Sequence, residues 1–129
     1  MTRHLHAFSI VVPDYDAALA FYVDTLGFEL RADIPLEDGK RWVLIAPDID
    51  AQTNILLARA DGETQINAVG NQFGGRVGLF LHTDSFERDY NAMRAKGVMF
   101  EELPRHEPYG SVAVWQDPFG NRWDLLQLN

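Results

Sequence analysis

The apolar positions of the chain follow one pattern twice. Ala7–Val12 and residues 77–81 are largely apolar stretches, and each is followed by an aspartate, Asp14 or Asp84. A segment with helical spacing comes after each aspartate and ends at a glycine, Gly27 or Gly97. Because aspartate and glycine are equally far apart in both copies, the pattern predicts an internal repeat.

Each predicted helix has an apolar stripe and a capping residue at both ends. The stripes have the three-and-four spacing of an amphipathic helix and consist of Tyr15, Ala18, Leu19, Tyr22 and Leu26 in the first helix and Phe86, Tyr90 and Met93 in the second. Asp14 and Asp84 fit N-caps, and Asp84 with Glu87 fits a capping box. Gly27 and Gly97 fit left-handed C-caps.

Three strands are predicted after each helix. They cover residues 28–31, 41–46 and 53–58 in the first half and 98–101, 111–116 and 122–128 in the second, with turns at 35–40 and 104–110. This order predicts an α+β fold of two tandem βαβββ modules. We place module one at about residues 4–59, a connecting loop at about 60–75 and module two at about 76–129, all within a single domain of residues 1–129.

The connection between the halves is long for a compact domain. Residues 59–75 are rich in Gly, Asn, Gln, Asp and Thr, whereas loops have a median of about 4–6 residues. Two interpretations fit this segment: a linker that crosses from one half to the other, or a mobile flap over a pocket.

The composition restricts the classes of function. A chain of 129 residues, 47% of them hydrophobic, is long enough to bury the core of one domain. It contains no cysteine, no apolar run long enough to span a membrane and no secretory signal, so we expect a cytoplasmic protein with no membrane partner. The net charge of −8 argues against a nucleic-acid partner and indicates either plain solubility or a mild preference for cationic ligands.

Several motifs resemble those of the vicinal-oxygen-chelate superfamily, which includes glyoxalases, bleomycin resistance proteins and extradiol dioxygenases. Residues 20–28, AFYVDTLGF, are similar to the family's first helix, and residues 117–125, DPFGNRWDL, to its last turn and strand. Residues 96–98, KGV, with Phe100 are similar to the exit of the second helix. The resemblance implies a small two-module member whose sheets curl into a cup and which forms a homodimer; it leaves the reaction open, since one fold hosts many functions.

The resemblance also implies where a metal would be held. Family members place one ligand, usually His, Glu or Gln, on the first and last strand of each module, and these positions correspond to Ala7, Asn54, Val77 and Asp124. Ala7 and Val77 have no ligand atom, and Asn54 is a poor ligand for Zn²⁺, Fe²⁺ or Ni²⁺. We therefore assign no metal or other cofactor; a divalent metal at a non-standard site is disfavoured. A shift of one residue in the first strand would put His6 in the place of Ala7.

Side-chain alternation along the strands predicts which residues line the cup. Those predicted to bind a ligand are Ser9, Trp42, Leu44, Asn54, Leu56, Leu79, Val112 and Val114, with Ala7, Val11, Val77, Leu81 and Leu126 on the same walls. Tyr109 and Arg122 lie near the predicted rim, and Asp124 is the candidate catalytic acid or base. Apolar walls with few polar groups are typical of ligand pockets. The alternative is that these side chains simply fill the cup as core.

Two functions fit these observations. The first is a superfamily member that binds a small organic molecule in the cup and acts as a lyase, isomerase or dioxygenase, through a non-standard metal site or through Asp124 with Ser9 or Asn54. The second is a metal-free protein that sequesters a drug or metabolite, similar to the bleomycin-resistance members. The substituted ligand positions and the negative charge favour the second.

Overall fold

The computed structural model describes residues 2–129, which form two compact units, one up to Val69 and one from Gly70 onward. The boundary falls within the predicted connecting loop. No helix of residues 2–129 has the length and apolar character needed to cross a membrane.

The first unit contains the predicted strand, helix and three strands. The strands are β1 (Ala7–Val12), β2 (Glu29–Pro35), β3 (Arg41–Ala46) and β4 (Asn54–Arg59), in the sheet order β1-β4-β3-β2, with β1 parallel to β4 and the other pairs antiparallel. Helix α1 (Tyr15–Leu19) continues as a π-helical segment, Ala20–Thr25. A further helix, α2 (Glu63–Ala68), lies in the segment predicted to be a loop, so the sequence prediction missed it.

The ends of the first helix follow from its flanking residues. Asp14 accepts a hydrogen bond of 2.8 Å from the amide of Ala17, which confirms the predicted N-cap. At the other end, Gly27 has a φ of 81°, and its amide donates to the carbonyl of Val23. A residue with a side chain is strained in this left-handed conformation, which is why glycine ends the helix.

One face of the first sheet forms the core of its unit together with α1, which packs against β4. The buried side chains on that face are Ile10, Val12, Val43, Ile45, Ile55 and Leu57, and the helix contributes Tyr15, Ala18 and Tyr22. The alternate positions on the same strands therefore belong to the opposite face.

The second unit repeats this order with one strand divided. Its elements are β5 (Leu79–His82), α3 (Phe86–Ala95), β6 (Met99–Phe100), β7 (Arg105–Glu107), β8 (Gly110–Gln116) and β9 (Arg122–Leu128), in the sheet order β5-β9-β8-β6, with β7 also paired to β8. Strand β7 lies in the segment predicted as a turn, so that prediction was wrong. Between β6 and β7, the amide of Val114 donates to the side chain of Glu102 at 2.9 Å, and the carbonyl of Val114 accepts from the amide of Glu101 at 2.9 Å.

The predicted N-cap of the second helix was also wrong. Helix α3 begins at Phe86, and Ser85 stands at the N-cap without a side-chain cap bond. Asp84 instead forms a 2.8 Å ion pair with Arg88, while the amide of Phe86 donates to the side chain of Gln127 at 2.8 Å. The predicted C-cap is confirmed, since Gly97 has a φ of 86°.

The core of the second unit lies on one face of its sheet, where α3 packs against β9. Its buried residues are Leu79, Ala113, Trp115, Trp123 and Leu125 from the sheet and Phe86, Tyr90 and Met93 from the helix. Trp115 and Trp123 are cross-strand partners whose rings stack at 4.9 Å between centroids. This pair dominates the core because aromatic side chains bury large apolar areas.

Candidate functional site

The face of the first sheet that alternates with its core, which we call the first open face, holds five of the predicted ligand-binding residues. Across the strands, Ala7 pairs with Asn54, Ser9 pairs with Leu56, and Leu56 also pairs with Leu44. Trp42 follows Leu44 by alternation on β3. The register of Ala7 opposite Asn54 also shows that His6 does not take the place of Ala7.

Asn54 is the buried polar residue of this face, with only 4% of its surface exposed. Its side-chain amide nitrogen donates to the carbonyl of His6 at 3.0 Å, and its backbone amide donates to the same carbonyl at 2.8 Å. Its Oδ1 has no hydrogen-bond partner among residues 2–129. A buried acceptor without a partner costs about 1–3 kcal/mol, so this oxygen is an unfavourable feature for folding alone.

Trp42 gives the first open face an accessible aromatic ring. It is 40% exposed, whereas Trp115 and Trp123 are buried in the second unit. The register of β3 and β4 places Trp42 beside Ala58, four residues along β4 from Asn54. At about 3.3 Å per residue, the backbone positions of Trp42 and Asn54 are offset by about 13 Å along the strands.

The loop that leads into Asn54 is held in place by Arg31. This residue lies at a β-bulge of β2, and its Nη2 donates to the carbonyls of Asp48, Ile49 and Ala51 at 2.9, 3.0 and 2.9 Å. A bulge redirects a side chain out of the regular alternation. Arg31 therefore fixes the backbone immediately before β4.

The corresponding face of the second sheet, which we call the second open face, has Asp124 near its centre. In one row across the strands, Asp124 pairs with Phe80 on one side and with Val114 on the other. In the next row, Leu126 pairs with His82 and with Val112, and Val112 pairs with Arg105. Predicted residues Val112, Val114 and Asp124 thus share this face.

The structure differs from the prediction along β5. Leu79 pairs with Trp123 and is buried on the core face, while Phe80 pairs with Asp124 and is 64% exposed. Leu81 likewise pairs with Leu125, and Val77 precedes the strand. The predicted pocket-facing set on β5 was therefore off by one residue. Residues 77–81 form a continuous apolar run, and no polar position in it indicates which side faces the core.

Asp124 is a partly buried carboxylate on an otherwise largely apolar surface. Its Oδ1 has no hydrogen-bond partner among the described residues. Burial raises the pKa of Asp124 above its ordinary value, and Glu102 acts in the same direction, while Arg105 and Arg122 act against it. A buried carboxylate of this kind is a candidate for ligand recognition or proton transfer.

Two acidic residues that no sequence motif indicates hold the arginines near Asp124. Glu101 accepts two 2.8 Å hydrogen bonds from Arg122, whose Nη1 donates to a backbone carbonyl. Glu102 accepts a 2.8 Å hydrogen bond from Arg105. These pairs join different strands or a strand and a turn, so only the register of the sheet reveals them. Two residues were predicted at the rim. Arg122 is held by Glu101, and Tyr109 lies just before β8 and is 50% exposed.

The side chains at the four metal positions do not fit a divalent transition metal. Ala7 lies opposite Asn54, and Phe80 lies opposite Asp124, so neither first strand offers a ligand atom. Among residues 2–129 there is no group of three or more His, Asp or Glu side chains that could hold a metal ion. We therefore derive no chemical step through a metal.

The comparisons with known proteins agree with this architecture. The family model described as Glyoxalase/Bleomycin resistance protein/Dioxygenase superfamily matches residues 4–125. A protein of Shewanella frigidimarina is 48% identical over 130 residues, which cover 100% of this chain and 96% of that protein.

Two solved structures are similar over almost the whole chain. UcmS2 is 31% identical with a TM-score of 0.85, and 98% of each chain is covered. TnmS3 from Streptomyces sp. CB03234, described as an antibiotic binding protein, is 33% identical with a TM-score of 0.80, covering 99% of this chain and 98% of its own. These matches confirm the predicted α+β fold class.

Proposed function

Because the chain belongs to the glyoxalase/bleomycin resistance protein/dioxygenase superfamily, as its motifs predict, we propose that it binds a small organic molecule without the help of a metal ion. The ligand carries an aromatic ring and a hydrogen-bond donor and occupies the first open face. The observation that carries this proposal is the buried Oδ1 of Asn54, which lacks a partner within the described chain.

The surroundings of Asn54 define the ligand further. Leu44 and Leu56 provide apolar contact beside it, and Trp42 offers a partly exposed ring for stacking. The hydrogen bond from the Asn54 side chain to His6 orients the amide so that its oxygen, not its nitrogen, is presented. An aromatic molecule with an O–H or N–H group suits this arrangement.

The comparison with TnmS3 supports a binding role. That protein is described as binding an antibiotic, and it matches this chain in fold and in a third of its residues. We propose that this chain likewise sequesters an organic compound. The metal positions without ligand atoms favour sequestration over metal-dependent turnover.

The proposal is tested with two naphthalenes that differ in one hydrogen-bond donor. 2-Naphthol has an O–H group, and 2-methoxynaphthalene has none. Both are titrated into the protein by calorimetry in the presence of a chelator. Binding at the first open face is followed in parallel by the indole N–H signals in ¹⁵N NMR spectra, with Trp42→Phe identifying the Trp42 signal.

We expect 2-naphthol to bind about tenfold more tightly than the methyl ether, as one hydrogen bond to a buried acceptor implies. The Trp42 signal should shift, and those of the buried Trp115 and Trp123 should not. Asn54→Leu should remove the preference, whereas Asn91→Leu on the exposed surface of α3 should keep it. A preference that survives Asn54→Leu would contradict the proposal, as would binding of neither compound.

A small-molecule lyase, isomerase or dioxygenase is the second candidate. The observation in its favour is that burial raises the pKa of Asp124, which suits a general acid or base. Metal-free protein incubated with hydroxyacetone in D₂O should then exchange carbon-bound protons faster than the Asp124→Asn variant does. Equal exchange rates for the two proteins would remove Asp124 from any such reaction.

We also propose a cytoplasmic homodimer. The apolar side chains of Leu103, Tyr109 and Leu128 are 79%, 50% and 53% exposed, and Leu128 lies next to Tyr109 through the pairing of Gly110 with Leu128. Exposed apolar groups of this kind are suited to an interface. Sedimentation equilibrium should give twice the chain mass, and a monomer at all concentrations would refute the dimer.

A further inference from the structure

We propose that Asp38 converts to isoaspartate through a succinimide formed with Gly39, so that the turn between β2 and β3 carries a site of covalent modification. An aspartate stands before a glycine at two places in the chain, Asp38–Gly39 and Asp61–Gly62. Ring closure is favoured before glycine, because no Cβ shields the attacking backbone nitrogen. The structure distinguishes the two dipeptides, and the inference is independent of the proposed ligand binding.

The reaction uses only the groups of the dipeptide and water. The backbone nitrogen of Gly39 attacks Cγ of the Asp38 carboxyl group and forms a C–N bond, and one carboxyl oxygen leaves as water with the amide proton and the acid proton. A second water molecule then opens the ring. Cleavage between the nitrogen and Cγ restores aspartate, whereas cleavage between the nitrogen and the backbone carbonyl carbon leaves an isoaspartyl linkage of the same mass.

The first observation is that Asp38 is exposed and strained. It lies in a short 3-10 segment, Glu37–Gly39, and is the one residue other than glycine with a positive φ among residues 2–129, with φ 60° and ψ 34°. Its carboxylate forms no hydrogen bond or ion pair within this part of the chain. A residue with a side chain is disfavoured in the left-handed conformation. Ring closure requires rotation about the Cα–C bond of Asp38, so the residue leaves this conformation and the strain is released.

The second observation is that Asp61 is held by its neighbours. Its backbone amide donates to Oε1 of Gln65 at 2.9 Å, and its Oδ2 lies 3.6 Å from Nζ of Lys40. Beyond the following peptide bond, the carbonyl of Gly62 accepts from the amide of Ile66 at 2.9 Å at the start of α2. Ring closure requires rotation of both the side chain and the backbone of Asp61, and these three contacts oppose it.

The modification lengthens the backbone of the turn. An isoaspartyl linkage inserts one methylene group between residues 38 and 39. These residues lie inside a loop that is closed by two hydrogen bonds, from the amide of Leu36 to the carbonyl of Lys40 at 2.7 Å and from the amide of Lys40 to the carbonyl of Glu37 at 3.1 Å. Two residues beyond the loop, Trp42 pairs with Ile34. The longer turn therefore changes the chain close to Trp42, and the indole signal of this residue reports the modification.

The test follows both dipeptides while the full chain is incubated at neutral pH for several weeks. Peptide mapping by mass spectrometry gives the isoaspartate fraction at residues 38 and 61, and an isoaspartate-specific methyltransferase measures the total. The same incubation in guanidinium chloride gives the two rates without the fold. We expect isoaspartate to form at least about fivefold faster at Asp38 than at Asp61 in the native chain, as release of backbone strain implies, and the two rates to agree within about twofold in the unfolded chain.

Two glutamate variants complete the design, because glutamate keeps the charge but its longer side chain cannot form the same ring. Asp38→Glu should remove most of the isoaspartate from the native chain, together with the additional Trp42 indole signal that appears during incubation. Asp61→Glu should leave both unchanged. Equal native rates at the two positions, or faster reaction at Asp61, overturn the inference. A native chain that stays unmodified at Asp38 while the unfolded chain reacts there overturns it as well.

Discussion

Replacement of Asn54 by leucine should raise the stability of the protein while it removes ligand binding. Asn54 is 4% exposed, and its Oδ1 lacks a partner within the described chain. Leucine has nearly the same shape and no polar atom. The substitution therefore removes an unsatisfied acceptor from a buried position and should stabilise the protein. The same change at a polar residue whose hydrogen bonds are all made would destabilise it.

The expected magnitude follows from two opposing terms. Removal of the unpaired oxygen should gain about 1–3 kcal/mol, and loss of the side-chain hydrogen bond to His6 should cost about 0.5–1.5 kcal/mol. The carbonyl of His6 keeps its 2.8 Å bond from the backbone amide of residue 54, so no acceptor is stranded. A net gain of about 1 kcal/mol should raise Tm by about 3–5 °C for a chain of this size.

Asn121 provides a matched control within the same chain. It is 2% exposed, and both ends of its side-chain amide are bonded, the nitrogen to Asp117 at 2.7 Å and the oxygen to Gln72 at 2.8 Å. Asn121→Leu should therefore lower the free energy of unfolding by about 3 kcal/mol. Both variants are measured by urea unfolding, with the slope m checked for a constant unfolded state. If Asn54→Leu loses more than about 1 kcal/mol, Oδ1 of Asn54 is satisfied in the native protein and the reasoning fails.

Three further substitutions test local contacts that support the fold. Arg122 holds the pKa of Glu101 below its usual value. The ionised carboxylate therefore stabilises the fold above its unfolded pKa of about 4.3, and this contribution is lost as the pH falls toward the folded pKa. Glu101→Gln should make the decline in unfolding free energy between about pH 5 and pH 3 less steep. Arg31→Ala should speed hydrogen exchange in residues 48–51 and cost about 1–2 kcal/mol, because three carbonyls lose their donor. Gly70→Ala should cost about 2 kcal/mol or more in urea unfolding, since φ is 78° and a Cβ would lie 2.6 Å from the carbonyl oxygen of Phe119.

Each of these three results has a clear contrary outcome. If the unfolding free energy declines equally steeply below pH 5 in Glu101→Gln, the ion pair between Glu101 and Arg122 contributes nothing to stability. Unchanged exchange in the loop would show that Arg31 does not hold it. Gly74→Ala is the control for Gly70, because Gly74 has a φ of 66° with open space around it; equal losses would attribute the effect to backbone conformation alone.

The first open face could be predicted from the sequence because its strands contain polar markers. Ser9 interrupts an apolar segment, Asn54 stands at the start of another, and the aspartate before α1 fixes where the first strand ends. Their alternation with Ile10, Val12 and Leu57 then assigns each side chain to one face. The register of Ala7 opposite Asn54 agrees with this assignment.

The second open face could not be predicted in the same way. Residues 77–81 contain no polar position, so the face of β5 was taken from the first module by the constant offset between the two copies. In the structure, His82 pairs with Leu126, whereas Ser9 pairs with the corresponding Leu56, so the first strands do not keep the offset of the last strands. Strand β5 ends at His82, opposite Leu126, whereas β1 continues to Val12, opposite Arg59.

The shortest strands and helix could not be predicted from the periodicity of the sequence. Strands β6 and β7 have two and three residues, too few for an alternating pattern to be distinguished from a turn. The bond from Val114 to Glu102 joins residues 12 positions apart. Helix α2 has six residues, and Gly62 at its N-cap has no side chain to cap it, so the usual start signal is missing.

Asn54 and Asp124 occupy corresponding places in the two modules, and both carry a polar side chain where the fold would favour an apolar one. Each lies on the last strand of its module, and each has a buried oxygen without a partner within the described chain. At about 1–3 kcal/mol each, two such oxygens consume a sizeable part of a typical stability of about 5–15 kcal/mol. Apolar residues at both places would avoid that cost. An amide oxygen accepts equally well from a neutral donor, whereas a carboxylate without a counter-ion favours a charged one. Neutral phenols should therefore perturb the indole signal of Trp42 before the backbone amide signal of Asp124, and the reverse order would refute the assignment of the donor site to Asn54.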